Sequence, residues 1–484
     1  MKYLFALSFL WGICLHSVYG QDVYHASAIS GTTQQIVSAI QEENQLLGEH
    51  ISIDATRPEQ YDRFEKLKRV ASVAELRALT LHPSGVVRCY AFWALADNGF
   101  RDLLPMVYAH MNDTAKVVAL FGCVMTSPKV GDVFIEIVRP GFLSDERQVL
   151  DSVQYAQLDS VLLYTPSKLA SREIRLYYAP PVPALYPAIR SCVAVEHNPM
   201  AVAPLSRYKR AADVPLILAS EAGNETGEGF NFVYEAISNF PHPDFFPLLK
   251  KNLEQTLTRH NSLPEWEQFY KAIAAYQNKA AYALLERSLT SAARGPGWDD
   301  RLNYLTRAVS KYRCPVYDSL LWTLWIDEKC LSADAFGYLL ANNPRKAVMA
   351  AKATLLEPEA YNLTGNYDEA VSVSKQDLVT GMVDLVLEND REAALALIGR
   401  QIRETGFDFF EVFSRKAAVL KDITLVEPLL QRMTLDDEPS YYREAARILA
   451  SYNNKAINAR ILAVIKQKPG RYWGDDAFLA SLKE

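Results

Sequence analysis

Cysteine and histidine are scarce in this chain: six cysteines and eight histidines among 484 residues. No CxxC pair, HExxH helix or other spaced ligand set occurs, so the sequence offers no zinc ribbon, metalloprotease helix or thioredoxin-type redox centre. GxSxG, Walker A and a GxGxxG followed by a carboxylate are missing too. With them go the local signatures of a hydrolase nucleophile, a phosphate loop and a dinucleotide fold. A basic excess is also lacking. Lysine and arginine number 51 against 57 acids, which argues against a nucleic-acid partner, because phosphate backbones are held by cationic surfaces. After the first twenty residues no apolar run approaches the roughly 20 residues that span a bilayer, and no tract is disordered by composition. What the chain has in plenty is apolar and aromatic: 49% of it is hydrophobic and 26 residues are tyrosine, ample for a continuous core.

Met1 to Gly20 reads as a secretory signal peptide. Lys2 supplies a short positive region, Tyr3 to Val18 is apolar, and Val18-Tyr19-Gly20 fits the small-residue cleavage rule, leaving Gln21 as the expected mature N-terminus. A membrane anchor is the weaker alternative because the apolar run is short. Trp11-Gly12-Ile13 before Cys14 fits a lipobox poorly. The mature chain is therefore expected to be exported, periplasmic or at the cell surface, without a transmembrane segment.

Most of the mature chain is repetitive. Four blocks align without gaps: Pro204–Ile217 (PLSRYKRAADVPLI), Ala236–Leu249 (AISNFPHPDFFPLL), Ala272–Leu285 (AIAAYQNKAAYALL) and Ala308–Leu321 (AVSKYRCPVYDSLL). The last three lie 36 residues apart, the first step being 32 from Leu205 to Ile237. A fifth block, Ile448–Leu462, matches the third, best over Ala274–Ala280. A fixed period in this range means one supersecondary unit stacked on copies of itself. Each block has an apolar stretch ending in an aromatic (Tyr208, Phe240, Tyr276, Tyr312, Tyr452), then a few polar or proline residues, then a second apolar stretch. Apolar residues recur three or four apart, the spacing of a helix, and the linker is short enough only for a tight turn. Asp102, Asp213 and Asp244 are expected to cap the second helices, with Pro105, Pro215 and Pro247 tolerated in the first turn.

The N-terminal part carries the same pattern over His82–Met111, and Asp113–Val138 repeats it loosely, with Val117-Val118 against Val86-Val87 and Gly122 against Ala91. Here the chain resembles the HEAT-repeat family. Pro83, Val87-Arg88, Ala91 and Leu95-Ala96 match the spacing of that family's first helix, and Pro439, Arg443, Ala446 and Ala450 match it more loosely. Armadillo and TPR arrays are near neighbours. The resemblance covers most of residues 65–140 and 185–484. It implies an all-α, right-handed α–α superhelix, with Arg88 and Arg443 as structural ties between units. It implies little about function, because such solenoids serve many tasks.

The pattern divides the chain into four segments: 1–20, the signal peptide; 21–140, an N-terminal helical segment and first repeats; 141–187, an irregular insertion or seam; 188–484, the main array. The break itself, about Arg139–Pro187, carries Tyr177-Tyr178 and the prolines 180, 181 and 183. Shorter breaks fall at Glu221–Gly229, Ser288–Asp300 and Leu355–Asp368. Insertions in solenoids often carry binding; a plain structural insertion is the competing explanation.

No residue earns a catalytic, metal or cofactor role. His25, His50, His82, His110, His197, His242 and His260 show no ligand spacing, and His82 and His242 each precede a proline in a turn. Glu196-His197 has no partner recognisable in the sequence. Cys89 and Cys123 fall on apolar helix faces as small buried hydrophobes, and the spacing leaves a Cys314–Cys330 disulfide open; Cys192 has no assigned role. Trp298-Asp299-Asp300 and Trp473-Gly474-Asp475-Asp476 are explained by helix capping. The repeat aromatics are explained by packing. Tyr177 and Tyr178 are the exceptions to watch, because exposed tyrosine suits a peptide or a sugar.

The functional expectation is an exported, non-catalytic scaffold that binds another protein in a bacterial envelope assembly, with binding residues unknown. The alternative is a glycan-binding or glycan-cleaving helical superhelix, needing a carboxylate or tyrosine acid/base in a cleft. A holding factor for exported clients is a third reading, and exposed apolar grooves would mark it.

Overall fold

The structure, a computed structural model, describes residues 24–139, 149–221, 231–256, 263–290, 297–365, 373–435, 439–467 and 476–482. The signal-peptide segment, His260, Trp473 and most of the break at Glu221–Gly229 lie outside them. Helix predominates throughout, and the chain divides into two units, Met1–Tyr208 and Lys209–Glu484. Among the described residues no helix is long and apolar enough to cross a membrane.

The first unit contains α1 (Gly31–Glu43), α2 (Glu59–Val70), α3 (Val73–Leu79), α4 (Gly85–Asp97) and α5 (Leu104–Ala109). It continues with α6 (Val130–Ile137), α7 (Ser152–Tyr164), α8 (Ala170–Tyr177), α9 (Tyr186–Ala194) and α10 (Val202–Ser206). Its centre is α4. Ten of the thirteen residues of this helix are buried, Val86, Cys89, Phe92 and Leu95 among them. A helix apolar all round must be covered all round, and α1, α2, α3, α6 and strand β1 (Gln45–Ile51) all pack on it. The even-numbered helices form a row, α2 on α4, α4 on α6, α6 on α8 and α8 on α10. Phe64 of α2 is fully buried with ring centroids 5.0 Å from Tyr90 and 4.6 Å from Trp93.

The chain is mostly helical, as expected of an all-α fold, and to this the first unit adds one small sheet. β1 pairs in parallel with β2 (Val118–Gly122), and β2 forms an antiparallel hairpin with β3 (Val124–Thr126). The residues expected to repeat α4 are therefore strands: Val117 pairs its N–H with the Pro128 carbonyl, and Val118 lies opposite Gln45. The physical reason is local. Val117 to Thr126 is rich in residues that favour strands (Val117, Val118, Phe121, Val124, Thr126) and turns at Gly122 with a φ of 58°, which a continuous helix does not allow, while exposed Val118 stands beside buried Ala119. Cys123 sits at that turn and is exposed rather than buried on a helix face. The free side of β1 is closed by two side chains, Gln60 donating to the Gln45 carbonyl at 3.1 Å and Tyr90 bonding Leu47. Leu47 N–H donates to the Tyr90 hydroxyl at 2.7 Å, and that hydroxyl donates to the Leu47 carbonyl at 3.0 Å.

The break at 139–187 is not irregular where it is described. It holds α7 and α8 and starts a third helix through the 3-10 turn Pro183–Leu185, with Leu158, Leu162, Leu169 and Leu176 buried. Pro183 takes the first place of that turn, where no hydrogen bond is lost, and Pro180 and Pro181 lie in the linker before it.

The second unit contains α11 (Val214–Ala219), α12 (Phe232–Asn239), α13 (Phe246–Thr256), α14 (Leu263–Ala274), α15 (Lys279–Arg287) and α16 (Trp298–Lys311). Next come α17 (Asp318–Ile326), α18 (Ala333–Asn342), α19 (Pro344–Leu356), α20 (Lys375–Asn389) and α21 (Arg391–Glu404). It ends with α22 (Phe407–Leu420), α23 (Val426–Leu435), α24 (Pro439–Ala450), α25 (Lys455–Lys466) and α26 (Asp476–Ser481). Its strands are two three-residue pieces, β4 (Cys330–Ser332) and β5 (Asn362–Thr364), paired in parallel. Every helix from α19 to α23 packs on the helix two places further on, and α12, α14, α16 and α18 do the same in turn.

The turns share one construction. Lys209, Gln277, Lys421 and Asn453 each come just after a helix end with φ between 47° and 53°, the left-handed residue that closes a helix. Four helices open through a single 3-10 turn, Ala211–Asp213, Pro243–Phe245, Pro315–Tyr317 and Ile423–Leu425, and others, such as α15 and α25, open directly from an asparagine cap. Pro105 and Pro215 take first-turn places as expected. The aspartate caps do not. Asp213 and Asp244 lie inside the 3-10 turns; the cap before Asp244 is His242, whose Nδ1 accepts from the Asp244 N–H at 3.4 Å. Asp213 makes no side-chain cap bond to α11. The helices still begin close to where the sequence puts them, α11 directly after Asp213 and α13 two residues after Asp244.

Candidate functional site

Two surfaces merit attention, one in each unit. In the first unit the turn between α8 and α9 is walled by tyrosine. The rings of Tyr177 and Tyr178 meet edge to face at 4.9 Å, and those of Tyr186 and Tyr208 at 5.2 Å. The Tyr208 hydroxyl donates to the Val182 carbonyl at 2.8 Å, and Tyr164 reaches the Ala184 carbonyl at 3.3 Å. Arg207 donates to the Tyr177 carbonyl at 2.9 Å and its guanidinium lies over the Tyr177 ring. These bonds fix the turn, and the ring left outside is Tyr178, which is 69% exposed. Val182 and Ile174 are exposed beside it in the sequence. The tyrosine pair singled out in the sequence thus splits, Tyr177 anchored and Tyr178 presented to solvent.

In the second unit a depression of about 390 Å³ is lined by Lys271, Arg307, Ser310, Lys311, Arg313 and Asp334, with Ser332 and Gly365. α14 brings Lys271, α16 brings Arg307 and Lys311 one turn apart, and Asp334 stands in the first turn of α18. Glu267 binds two of the cations, Lys271 at 2.7 Å and Arg307 at 3.3 Å. The floor is polar and closed: Ser310 and Ser332 are buried, their hydroxyls 2.9 Å apart, and Ser332 also caps α18 through the Ala335 N–H. Desolvation, with Lys271 alongside, pushes the Lys311 ammonium below the usual lysine range.

Sequence reasoning passes over this cluster. The signal is there: Lys271 and Arg307 stand 36 residues apart at the same place in successive blocks, five residues before Tyr276 and Tyr312. It is obscured because Arg313 lies in a turn and Asp334 in another element.

The remaining candidates take structural places. Arg88 donates to the His82 and Pro83 carbonyls and pairs with Asp113 at 2.9 Å, which His110 Nδ1 also approaches at 3.1 Å. His82 Nδ1 accepts from the Ser84 N–H at 3.0 Å in the turn before α4. Arg172, buried on α8, holds Glu196 through two bonds of 2.7 and 3.0 Å, the partner the sequence could not name. Cys192 lies against this pair with its thiol pushed up to about 11, mainly by burial, and Cys330 reaches about 11 for the same reason. A thiol held protonated is a poor nucleophile. Cys314 and Cys330 are both free, Cys330 facing Thr306 at 3.2 Å, so the disulfide that the spacing left open is not formed. Asp299 and Asp300 stand in the first turn of α16, but the N-cap is Gly297 and neither carboxylate caps it; their contribution is charge against the helix dipole. Asp476 opens α26. Arg443 is half-buried on α24. Among the described residues no group of three His, Cys, Asp or Glu side chains gathers as a metal site.

Comparison with protein-family models, curated proteins and solved structures gives no match to this chain.

Proposed function

We propose that this chain is an exported helical-repeat scaffold of the HEAT-like type, non-catalytic, that binds another protein of a bacterial envelope assembly. Three features support the repeat architecture. Helices pack on the next but one within each unit. Left-handed residues recur at the turns. Tyrosine hydroxyls reach back about one repeat to a turn carbonyl: Tyr276 to His242 at 2.6 Å and Tyr452 to Asp422 at 3.1 Å in the second unit, Tyr208 to Val182 in the first. Each acceptor is the residue just before a 3-10 turn. Such a ladder ties neighbouring units and leaves their outer surfaces available for a partner.

The observation that carries the binding reading is Tyr178: a large ring on a turn immobilised by four other tyrosines. Rigid, amphipathic rings of this kind contribute interface contact at low entropic cost. The test is quantitative cross-linking and mass spectrometry from the native cells, comparing the wild type with Tyr178→Ser/Val182→Ser. A stoichiometric protein partner that drops at least about tenfold in the variant is expected, the size of a typical hot-spot loss. An undiminished partner would move the interface elsewhere, and none at all would remove the scaffold reading. Deleting 139–187 would be uninformative, because it removes buried core residues such as Leu158 and Leu176.

A further inference from the structure

We infer that the depression between α14, α16 and the start of α18 binds a phosphate monoester on a small hydroxyl-bearing molecule. This stands apart from the scaffold reading and does not depend on it.

The argument begins with charge. In a chain with formal net charge −6, four cations line one concavity with a single carboxylate. They are not equivalent. Lys271 and Arg307 share Glu267, which fixes their positions and leaves one positive charge there, offset across the depression by Asp334. Lys311 and Arg313 have no carboxylate at ion-pair distance among the described residues. Lys311 lies near the Tyr312 ring, and Arg313 donates only to the Ser310 carbonyl at 3.0 Å. Glu235 and Glu267 act on Lys311 from a distance and Lys271 opposes them. Two cations without a paired anion match a dianion. One carboxylate would leave one of them uncompensated.

Shape and chemistry narrow the class. A volume of about 390 Å³ lies within the range of small-molecule sites. The planar fork of Arg313 suits two oxygens of a tetrahedral oxyanion, and Lys311 suits a third as a point charge. Ser310 and Ser332 are already bonded to each other and to backbone, so they form the floor and do not compete as ligand donors. Asp334 would repel a bare anion. Among the described lining residues it is the one carboxylate, an acceptor for a hydroxyl hydrogen, so the organic part of an ester belongs on that side.

Isothermal titration calorimetry on the full mature chain, at fixed ionic strength, tests this with glycerol 3-phosphate, inorganic phosphate, succinate and glycerol. Saturable one-to-one binding of glycerol 3-phosphate is expected, with weaker inorganic phosphate and no glycerol signal. Lys311→Met/Arg313→Gln should weaken it at least about tenfold, as expected for lost charge-assisted hydrogen bonds. Both residues are exposed, and circular dichroism checks the fold; Lys311→Met alone serves if the double variant is altered. Absence of saturable phosphate binding, or affinity unchanged in a folded variant, overturns the site. Succinate binding as tightly as the ester overturns the phosphate assignment.

Discussion

The two units solve the same packing problem differently. The second is built from helix hairpins whose buried faces meet the next hairpins, with its strands reduced to a three-residue pair. The first surrounds one helix, α4, buried over ten of its thirteen residues, and uses a three-stranded sheet and a cluster of rings to cover it. An amphipathic helix needs neighbours on one stripe only, so copies can be added in a row; a helix apolar on every side needs a cage. In the first unit the stabilising contacts should therefore be concentrated at a few residues, and in the second distributed along the chain.

The sharpest way to break that contrast is Phe64→Ala. The ring is fully buried between Tyr90 and Trp93, and its loss should cost about 3–5 kcal/mol. Hydrogen exchange resolved by peptide should show faster exchange in α2, α4 and β1. A small loss would mean that the first unit is distributed too. Next in size is Tyr90→Phe, which removes only the hydroxyl that both accepts from and donates to Leu47. Two buried backbone groups are left without that partner, a loss of about 1–3 kcal/mol, read by chemical denaturation. Tyr90 titration does not complicate this, because burial drives the phenol well above its usual range.

In the second unit, Tyr276→Phe and Tyr452→Phe should each cost about 1 kcal/mol. Their acceptors are turn carbonyls, half-exposed and open to water. If the sites are independent, the double variant should lose the sum, within about 0.5 kcal/mol. A much larger combined loss would indicate that the ladder acts as one unit. The Tyr452 phenol is pushed up to about 12 by burial and then by Asp422, so these bonds persist across ordinary pH.

The smallest expected effect concerns acid. Glu75 accepts from the Ser30 N–H at 2.8 Å and from the Ser72 N–H at 2.8 Å, tying the start of α1 to that of α3. These bonds hold its carboxyl at about 2, against an ordinary value of 4.5. A depressed value means the contribution is complete above pH 4.5 and is lost as pH falls towards 2. Because Glu75 is partly exposed, solvent screening keeps the effect small. Glu75→Gln should flatten the pH dependence of first-unit stability between about pH 4.5 and 2, read by denaturant midpoints at each pH. An unchanged slope would assign the acid sensitivity to other carboxylates.

Much of the fold is legible in the sequence, and the exceptions have physical causes. The helix pairs around Tyr276 and Tyr312 come from spacing alone. The helix over Gly85–Asp97 is also where the pattern places it. The strands at Val118–Thr126 escape the pattern because their apolar residues fit helical spacing as well, and the turn at Gly122 and the pairing with β1 decide for strand. α7 and α8 escape it because prolines 180, 181 and 183 read as a break, whereas Pro180 and Pro181 form a short linker and Pro183 opens the turn into the next helix. Of the sites, Tyr178 is visible as a tyrosine outside the repeat, but its exposure is not. The basic depression is half visible, as Lys271 and Arg307 at equal places in two blocks.

The sequence by itself determined where helices form and turn, because helical periodicity and helix-ending residues act over a few positions. Only the tertiary structure decided which side chains share one space. That Tyr90 closes the edge of a strand 43 residues away in the chain, that Arg172 meets Glu196, and that Lys311 and Arg313 lie beside Asp334 all depend on how elements pack. Packing is governed by volume, burial and charge summed over distant segments, which no local pattern encodes.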